Sequence, residues 1–166
     1  MATALFITRK QLVQNSILDG NVDTDKFIQF IKIAQEIHIR NYLGTDLYNK
    51  ISTDIAASNL SGAYLTLVRT HIQPMLIHYA MADYIPFAAY QIKNGGISKH
   101  ISENAESVSK EEVDYLVEKH RDIAEYYTRR FIDYMSFNQN LFPEYTSNTN
   151  DDIHPDKDAL FNGWVL

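Results

Sequence analysis

Hydrophobic residues recur at helical spacing along most of the chain, and they are densest between residues 61 and 90. In that stretch only Arg69 and Asp83 carry a formal charge. A helix that is apolar around most of its circumference has to be covered by other elements. The pattern therefore predicts the central helix of an all-α domain. Bends or interruptions are expected at Pro74 and Pro86, because proline removes a backbone donor.

Amphipathic helices are predicted on both sides of the central one. The second is capped by Asp23 or Thr24, and the third is capped by Thr45 after a terminating Gly44. The last opens at Ser109, which has the form of a capping box together with Glu112. With the central stretch they make a helical bundle of about four to five helices, and the predicted ranges are 9–14, 24–43, 46–57 and 110–137.

A shared core is predicted where the apolar faces of these helices meet. The second helix carries a stripe at helical spacing that comprises Phe27, Phe30, Ile31, Ala34, Ile37 and Leu43. We expect the central helix to pack between this stripe and the last helix. Five side chains should then be buried together, namely Ile31, Leu76, Ile77, Leu116 and Ile123.

Two segments depart from the helical pattern. An Asn-Gly-Gly sequence between short alternating runs predicts a small β-hairpin arm, with residues 91–93 pairing with 97–101. Residues 146–158 are polar, and we expect them to be disordered in isolation. They precede an apolar end, which either folds back on the core or docks on a neighbouring chain. The predicted organisation is a helical domain at 1–145 and an extended tail at 146–166.

Composition excludes several function classes. The chain has no cysteine, which rules out disulfides, thiolate metal sites and cysteine nucleophiles. A net charge of −6 argues against a primary role in gripping nucleic-acid phosphates. The first ten residues lack the pattern of a signal peptide. A membrane span at 72–90 is disfavoured by His78, Asp83 and two prolines, because charged groups are costly at the bilayer centre.

Six histidines in a helical protein call for a test of metal binding. Carboxylate-bridged metal sites in bundles need a glutamate three residues before a core histidine, and no histidine here has one. His71 and His78 could share a helix face and form a ligand cluster with Asp83. Such histidines are more often hydrogen-bonded core residues. We therefore assign no catalytic residue, metal or cofactor.

Four stretches carry a likeness to a known family. They are FITRKQLVQNSILDGNVD at 6–23, FIQFIKIAQEIHIRNYLGTDLYNKI at 27–51, YQIKNGGISKH at 90–100, and YYTRRFIDYMSFN with FPEY within 126–145. This layout of helices and an arm resembles the head–tail connector (adaptor) proteins of tailed bacteriophages, especially the ring proteins of crAss-like and other Bacteroidetes-infecting phages. The likeness does not extend beyond residue 145.

The resemblance implies a structural virion protein without enzymatic activity. Connector subunits form a ring, commonly of twelve, that lies beneath the portal and extends the DNA channel. The implied partners are other copies of the chain in a dodecamer, the portal protein and the next tail or ring protein. DNA only passes through, and no membrane is involved. The implied location is the head–tail junction of the virion, after synthesis in the host cytoplasm.

Interface residues are expected in the arm and in the apolar end, because a ring uses two different faces of each subunit. The candidates are Lys93, Asn94, Gly95, Gly96, Ile97, Leu160, Phe161, Trp164, Val165 and Leu166. Two other classes stay open. One is a small all-α metal-dependent enzyme that uses His71, His78 and Asp83. The other is a helical protein-interaction module.

Overall fold

The computed structural model describes residues 4–16, 24–88, 90–93, 96–99, 109–149 and 152–158. Within them the chain is predominantly helical, which confirms the all-α class. The helices are α1 (Arg9–Gln14), α2 (Thr24–Ala34), α3 (Arg40–Leu43), α4 (Thr45–Ala56), α5 (Gly62–Leu67), α6 (Gln73–Ala88), α7 (Lys110–Asn138) and α8 (Pro143–Ser147). π-helical turns at Gln35–Ile39 and Val68–Ile72 join α2 to α3 and α5 to α6.

Helix α6 lies between α7 and α2. Its apolar residues point in all directions, and Met75, Leu76 and Ala80 are fully buried. Helix α7 runs antiparallel to it, since His78 meets His120 while the earlier His71 meets the later Tyr134. The central position predicted for this stretch follows from its even distribution of apolar side chains.

The two prolines act differently. Pro74 lies in the first turn of α6, directly after a π-helical turn, so the predicted irregularity at this point is present. The expected interruption at Pro86 is wrong, because α6 continues through it to Ala88. Pro86 lies in the last turn of α6. Its missing N–H removes one backbone hydrogen bond, and only the end of the helix is affected.

Ile31, Leu76 and Ile77 are buried in the common core, as predicted. The same prediction is wrong for Leu116 and Ile123, which are exposed. The first buried residue of α7 is His120. Because the helices are antiparallel, the first turns of α7 lie at the exposed end of α6 and have little helix surface to pack against.

The π-helical turn at Gln35–Ile39 changes which face of the second helix is buried. A π turn holds more residues than an α turn, so the residues that follow are rotated about the axis. Gln35 and Ile39 are fully buried, whereas Ile37 is 60% exposed. The prediction that Ile37 belongs to the core stripe is therefore wrong, since it assumed an uninterrupted α-helical repeat.

Buried Gln35 fixes the N-terminal segment. Its side-chain oxygen accepts from the Phe6 backbone N–H at 2.9 Å, and its Nε2 donates to the Ala4 carbonyl at 2.9 Å. Gln73 Nε2 donates to the Phe6 carbonyl, also at 2.9 Å. The two glutamine side chains thus make the hydrogen bonds that a neighbouring strand would otherwise make to the backbone of residues 4–6. Phe6 and Ile7 are buried in the core.

Two short strands follow α6. β1 (Tyr90–Lys93) pairs antiparallel with β2 (Gly96–Lys99), with Ile92 opposite Ile97 and Lys93 opposite Gly96. Asn94 and Gly95 lie outside the described residues.

The polar segment after α8 is docked on the corner between α3 and α4. The Ile153 N–H donates to Thr45 Oγ1 at 3.0 Å, and the Thr45 N–H donates back to the Ile153 carbonyl at 2.9 Å. The Asp156 N–H donates to the Asn41 carbonyl at 2.9 Å. The expectation of disorder is therefore wrong for 146–149 and 152–158, because partners distant in sequence satisfy their backbone groups.

No helix in the described part of the chain combines the length and the apolar character needed to cross a membrane.

Candidate functional site

The most unusual polar contact lies at the α6–α7 interface, where two histidines face each other. His78 Nδ1 and His120 Nδ1 are 3.1 Å apart, so one ring must carry its proton on Nδ1 and donate to the other. Burial, and then the neighbouring His120, lowers the pKa of His78 to about 4. Burial also lowers the pKa of His120. The pair is thus neutral at physiological pH and ties α6 to α7.

The other helix-borne histidines are each stacked on a tyrosine. His71 stacks on Tyr134 with ring centroids 4.3 Å apart, and burial and then Arg130 lower its pKa. Its buried Nδ1 has no hydrogen-bond partner among the described residues. His38 stacks on Tyr79 at 4.0 Å and lies 3.5 Å from the Asp83 carboxylate.

These contacts separate the three residues of the metal-enzyme alternative. His71 faces Tyr134, His78 faces His120, and Asp83 faces His38. Within the described residues no three side chains of the ligating types are grouped to hold a metal ion. The ligand cluster of His71, His78 and Asp83 that this alternative requires is therefore not formed.

A cleft of about 210 Å³ lies beside the histidine pair. Gln11, Asn15, Arg69, Gln73 and Tyr127 line it together with His78. Gln11 Nε2 donates to Gln73 Oε1 at 3.4 Å, so these amides are partly occupied by each other. The cleft offers donors and acceptors to a small polar molecule. Its described lining includes no carboxylate that could work with the histidine as a general acid or base.

The docked C-terminal segment packs closely against Gly44. This glycine has φ 75° and ψ 164°, a conformation essentially restricted to glycine. A Cβ added there would lie 2.6 Å from Pro155 Cδ. Gly44 therefore permits both the sharp turn from α3 to α4 and the close approach of Pro155.

Helix α4 is capped from this segment. Thr45, predicted as its N-cap, is instead its first residue, and its hydroxyl accepts from Ile153. The Asp46 N–H donates to Asn148 Oδ1 at 3.2 Å, and the Thr149 N–H donates to the Asp46 carboxylate at 2.7 Å. A residue about a hundred positions away thus serves as the cap, which no local motif could indicate.

The predicted interface residues fall in two groups. Lys93, Gly96 and Ile97 belong to the paired strands, and Asn94 and Gly95 lie outside the described residues. The candidates at the apolar end, Leu160, Phe161, Trp164, Val165 and Leu166, also lie outside them. The described chain ends at Asp158, two residues beyond the hydrogen bond that holds Asp156 to Asn41.

Sequence reasoning missed an exposed surface on α7. Tyr115, Tyr126 and Phe137 are 58%, 59% and 86% exposed. They recur every eleven residues, which is close to three full turns, so they share one side of the helix. The spacing was visible in the sequence, but only the structure shows that this side points away from the core.

The chain belongs to the family DUF6712, described as a family of unknown function, which it matches over residues 39–154. The matched range runs past residue 145 and includes Asn148 and Ile153, which hold the docked segment in place. No curated protein and no solved structure matches the chain.

Proposed function

We propose that this protein is a head–tail connector subunit of a tailed bacteriophage, a structural virion protein that forms a ring between portal and tail and extends the DNA channel. One observation carries the proposal: residues 152–158 are fixed on the α3–α4 corner. The apolar residues that follow therefore start from a defined point on the subunit surface. A peptide whose first residue is held at a defined position can extend toward a neighbouring subunit in a defined direction.

The composition of the terminal segment supports this role. Residues 159–166 include Leu160, Phe161, Trp164 and Val165. Covering an aromatic side chain contributes about 25 cal/mol for each Å² of apolar area removed from water. Eight residues can extend up to ~28 Å, which is enough to reach an adjacent subunit. We propose that this peptide and the β1–β2 arm contact the portal or neighbouring copies.

The charge of the chain fits a channel protein. A net charge of −6 disfavours tight binding to DNA phosphates. In a connector, DNA has to pass through the ring without being retained. The proposed ring is a dodecamer located at the head–tail junction of the virion, and it needs no cofactor for this role.

The test is a binding experiment with the portal protein of a phage that encodes this chain. A chain ending at Asp158 keeps the docked segment and removes only the apolar peptide. We expect it to melt like the full chain and to bind portal at least tenfold more weakly. Trp164, the single tryptophan, provides a second readout. Its fluorescence should shift to the blue when portal is added to the full chain.

Full-length protein that neither binds the portal nor forms rings on it in electron micrographs would refute the connector proposal. A monomer of this kind would instead be a helical protein-interaction module. Strong binding by the chain ending at Asp158 would show that the peptide is not the contact.

A second variant tests the arm. Deleting residues 93–98 removes the end of the hairpin while leaving α6 and α7 intact. We expect a folded protein that binds portal but assembles poorly into rings. Normal ring assembly by the deletion variant would exclude the arm from the interface.

A further inference from the structure

The cleft beside the histidine pair lies where α1, α6 and α7 meet. Gln11 belongs to α1, His78 to α6 and Tyr127 to α7, and Arg69 lies on the π-helical turn that precedes α6. The cleft volume of about 210 Å³ is far above the roughly 10–15 Å³ that one water needs. Pockets for drug-sized ligands measure roughly 300–1,000 Å³. The space therefore suits a small organic molecule.

Arg69 is the cation of this cleft. It is exposed, and it has neither an ion-pair nor a hydrogen-bond partner among the described residues. Its guanidinium presents N–H donors in a planar fork that matches the two oxygens of a carboxylate. The described lining holds no acidic side chain that would neutralise it. Single π-helical turns, such as the one that carries Arg69, are frequent at functional sites.

Hydrogen bonds within the chain fix how the Gln11 amide is oriented. Its Oε1 accepts from the Thr8 N–H at 2.9 Å as part of the capping box of α1, which leaves Nε2 for other partners. That nitrogen reaches Gln73 Oε1 only at 3.4 Å, longer than the usual range of about 2.7–3.2 Å. Gln73 is itself held by the 2.9 Å bond from its Nε2 to the Phe6 carbonyl. Gln11 therefore adds an N–H donor that the chain uses only weakly.

His78 and Tyr127 add two more polar groups to the lining. Their rings stack with centroids 6.0 Å apart. His78 Nδ1 is engaged with His120, and neither His78 Nε2 nor the Tyr127 hydroxyl has a hydrogen-bond partner among the described residues. When His120 is the donor of the pair, His78 carries its proton on Nε2 and can donate it to a ligand.

We propose that this cleft binds a small organic acid in its ionised form, with the carboxylate on Arg69. The polar groups with unused capacity are mainly donors, which favours an anion. One guanidinium balances the single charge of a carboxylate, whereas a phosphate group carries about −1.5 to −2 at pH 7. Pro74 and Ile77 add apolar surface for a short carbon chain. The proposal is independent of the ring function.

The bound acid also sets the tautomer of the histidine pair. A carboxylate oxygen accepts from His78 Nε2–H, so His78 Nδ1 becomes the acceptor and His120 Nδ1 the donor across their 3.1 Å contact. Both rings stay neutral, and no proton is gained or lost. The nitrogen signals of His78 in long-range proton–nitrogen NMR distinguish the two tautomers and therefore report on the ligand.

The test titrates the full chain with N-acetylglycine, and the neutral N-acetylglycinamide is the matched control. The two probes differ in having a carboxylate or an amide at the same position. Two-dimensional proton–nitrogen NMR at pH 7 follows the side-chain signals of Arg69 and Gln11. We expect saturable shifts with N-acetylglycine, at least tenfold weaker binding of N-acetylglycinamide, and conversion of His78 to the tautomer with its proton on Nε2.

Two substitutions of Arg69 separate geometry from charge. Arg69→Gln should weaken the binding of N-acetylglycine at least tenfold. Arg69→Lys keeps the charge but loses the planar fork, so binding should still weaken by about threefold or more. Arg129→Gln, at an exposed position of α7 outside the cleft, changes the net charge equally and should leave binding unchanged. Because both positions are exposed, all three variants should melt like the parent chain.

Equal binding of N-acetylglycine and N-acetylglycinamide would overturn the proposal, and so would normal binding by Arg69→Gln. Equal losses in Arg69→Gln and Arg129→Gln would show only a general effect of net charge and would overturn it as well. Inorganic phosphate is the competing anion, and tighter binding of phosphate than of N-acetylglycine would refute a carboxylate site. An unchanged tautomer at saturation would exclude the contact with His78.

Discussion

The segment 152–158 and the first ten residues of α7 meet the rest of the protein in opposite ways. The segment is polar, yet backbone hydrogen bonds to Thr45 and Asn41 hold it in place. The start of α7 carries Val113, Leu116 and Val117 at helical spacing, yet none of them is buried. Whether a segment is held in place thus depends on what lies opposite it. The polar segment 152–158 meets polar groups that can hydrogen-bond to its backbone, whereas the apolar start of α7 has no apolar surface among the described residues to pack against.

The largest change in stability is expected from a substitution in α7, where two phenylalanines differ in environment. Phe131 is fully buried and Phe137 is almost fully exposed. Phe131→Ala should lower the free energy of unfolding by about 3–5 kcal/mol, because it leaves a cavity in the core. The matched Phe137→Ala should change it by less than about 0.5 kcal/mol. Urea denaturation followed by circular dichroism measures both, and equal losses would contradict the orientation of α7.

The second prediction concerns the turn beneath the docked segment. Gly44→Ala should destabilise the protein by roughly 2–3 kcal/mol, from backbone strain and from the contact with Pro155. Gly62 is the matched control, because it also has a positive φ, but no atom of the described residues lies within 4 Å of the added Cβ. Thermal melts should show a clearly smaller loss for Gly62→Ala. In a chain ending at Ser147, the Gly44→Ala loss should shrink, and an unchanged loss would show that Pro155 is not involved.

The third prediction tests the segment itself. A chain ending at Ser147 lacks the hydrogen bonds made by Ile153, Asp156 and Asn148, whereas a chain ending at Asp158 keeps them. Each such bond contributes about 0.5–1.5 kcal/mol, partly offset by the entropy of ordering the segment. We expect the shorter chain to be less stable by about 2 kcal/mol in chemical denaturation. Equal stability would restore the view of residues 148–158 as a free tether.

The smallest change in stability is expected when the pH is lowered. The folded protein keeps His78 and His120 neutral below the ordinary pKa of histidine, because their pKa values are lowered. The unfolded chain therefore binds more protons between about pH 6.5 and 4, and stability falls as the pH falls through that range.

The variant His78→Gln measures this contribution. We expect its stability loss between pH 7 and 5 to be smaller than that of the parent chain by about 1 kcal/mol, allowing for partial solvent screening. The variant Asn49→Gln, at an exposed position of α4 with no titratable side chain, serves as the control. A parent profile that is flat over this range would contradict the neutral histidine pair.

The sequence by itself determined the helical class, the central position of residues 61–88 and the capping box of α7. These depend on interactions within a few residues or on a strong apolar excess, which is present before any tertiary contact forms. Leu76 and Ile77 could be assigned to the core for this reason. Their helix is apolar on every side, so any packing arrangement buries them.

Only the tertiary structure decided which apolar side chains stay in water and which polar ones do not. A π-helical turn moved Gln35 inward and Ile37 outward, and the short reach of α6 left Leu116 uncovered. Asn148 caps α4, and His78 meets His120 instead of His71 or Asp83. Each of these outcomes depends on the position of a distant partner, and the periodicity of a single helix carries no information about that position.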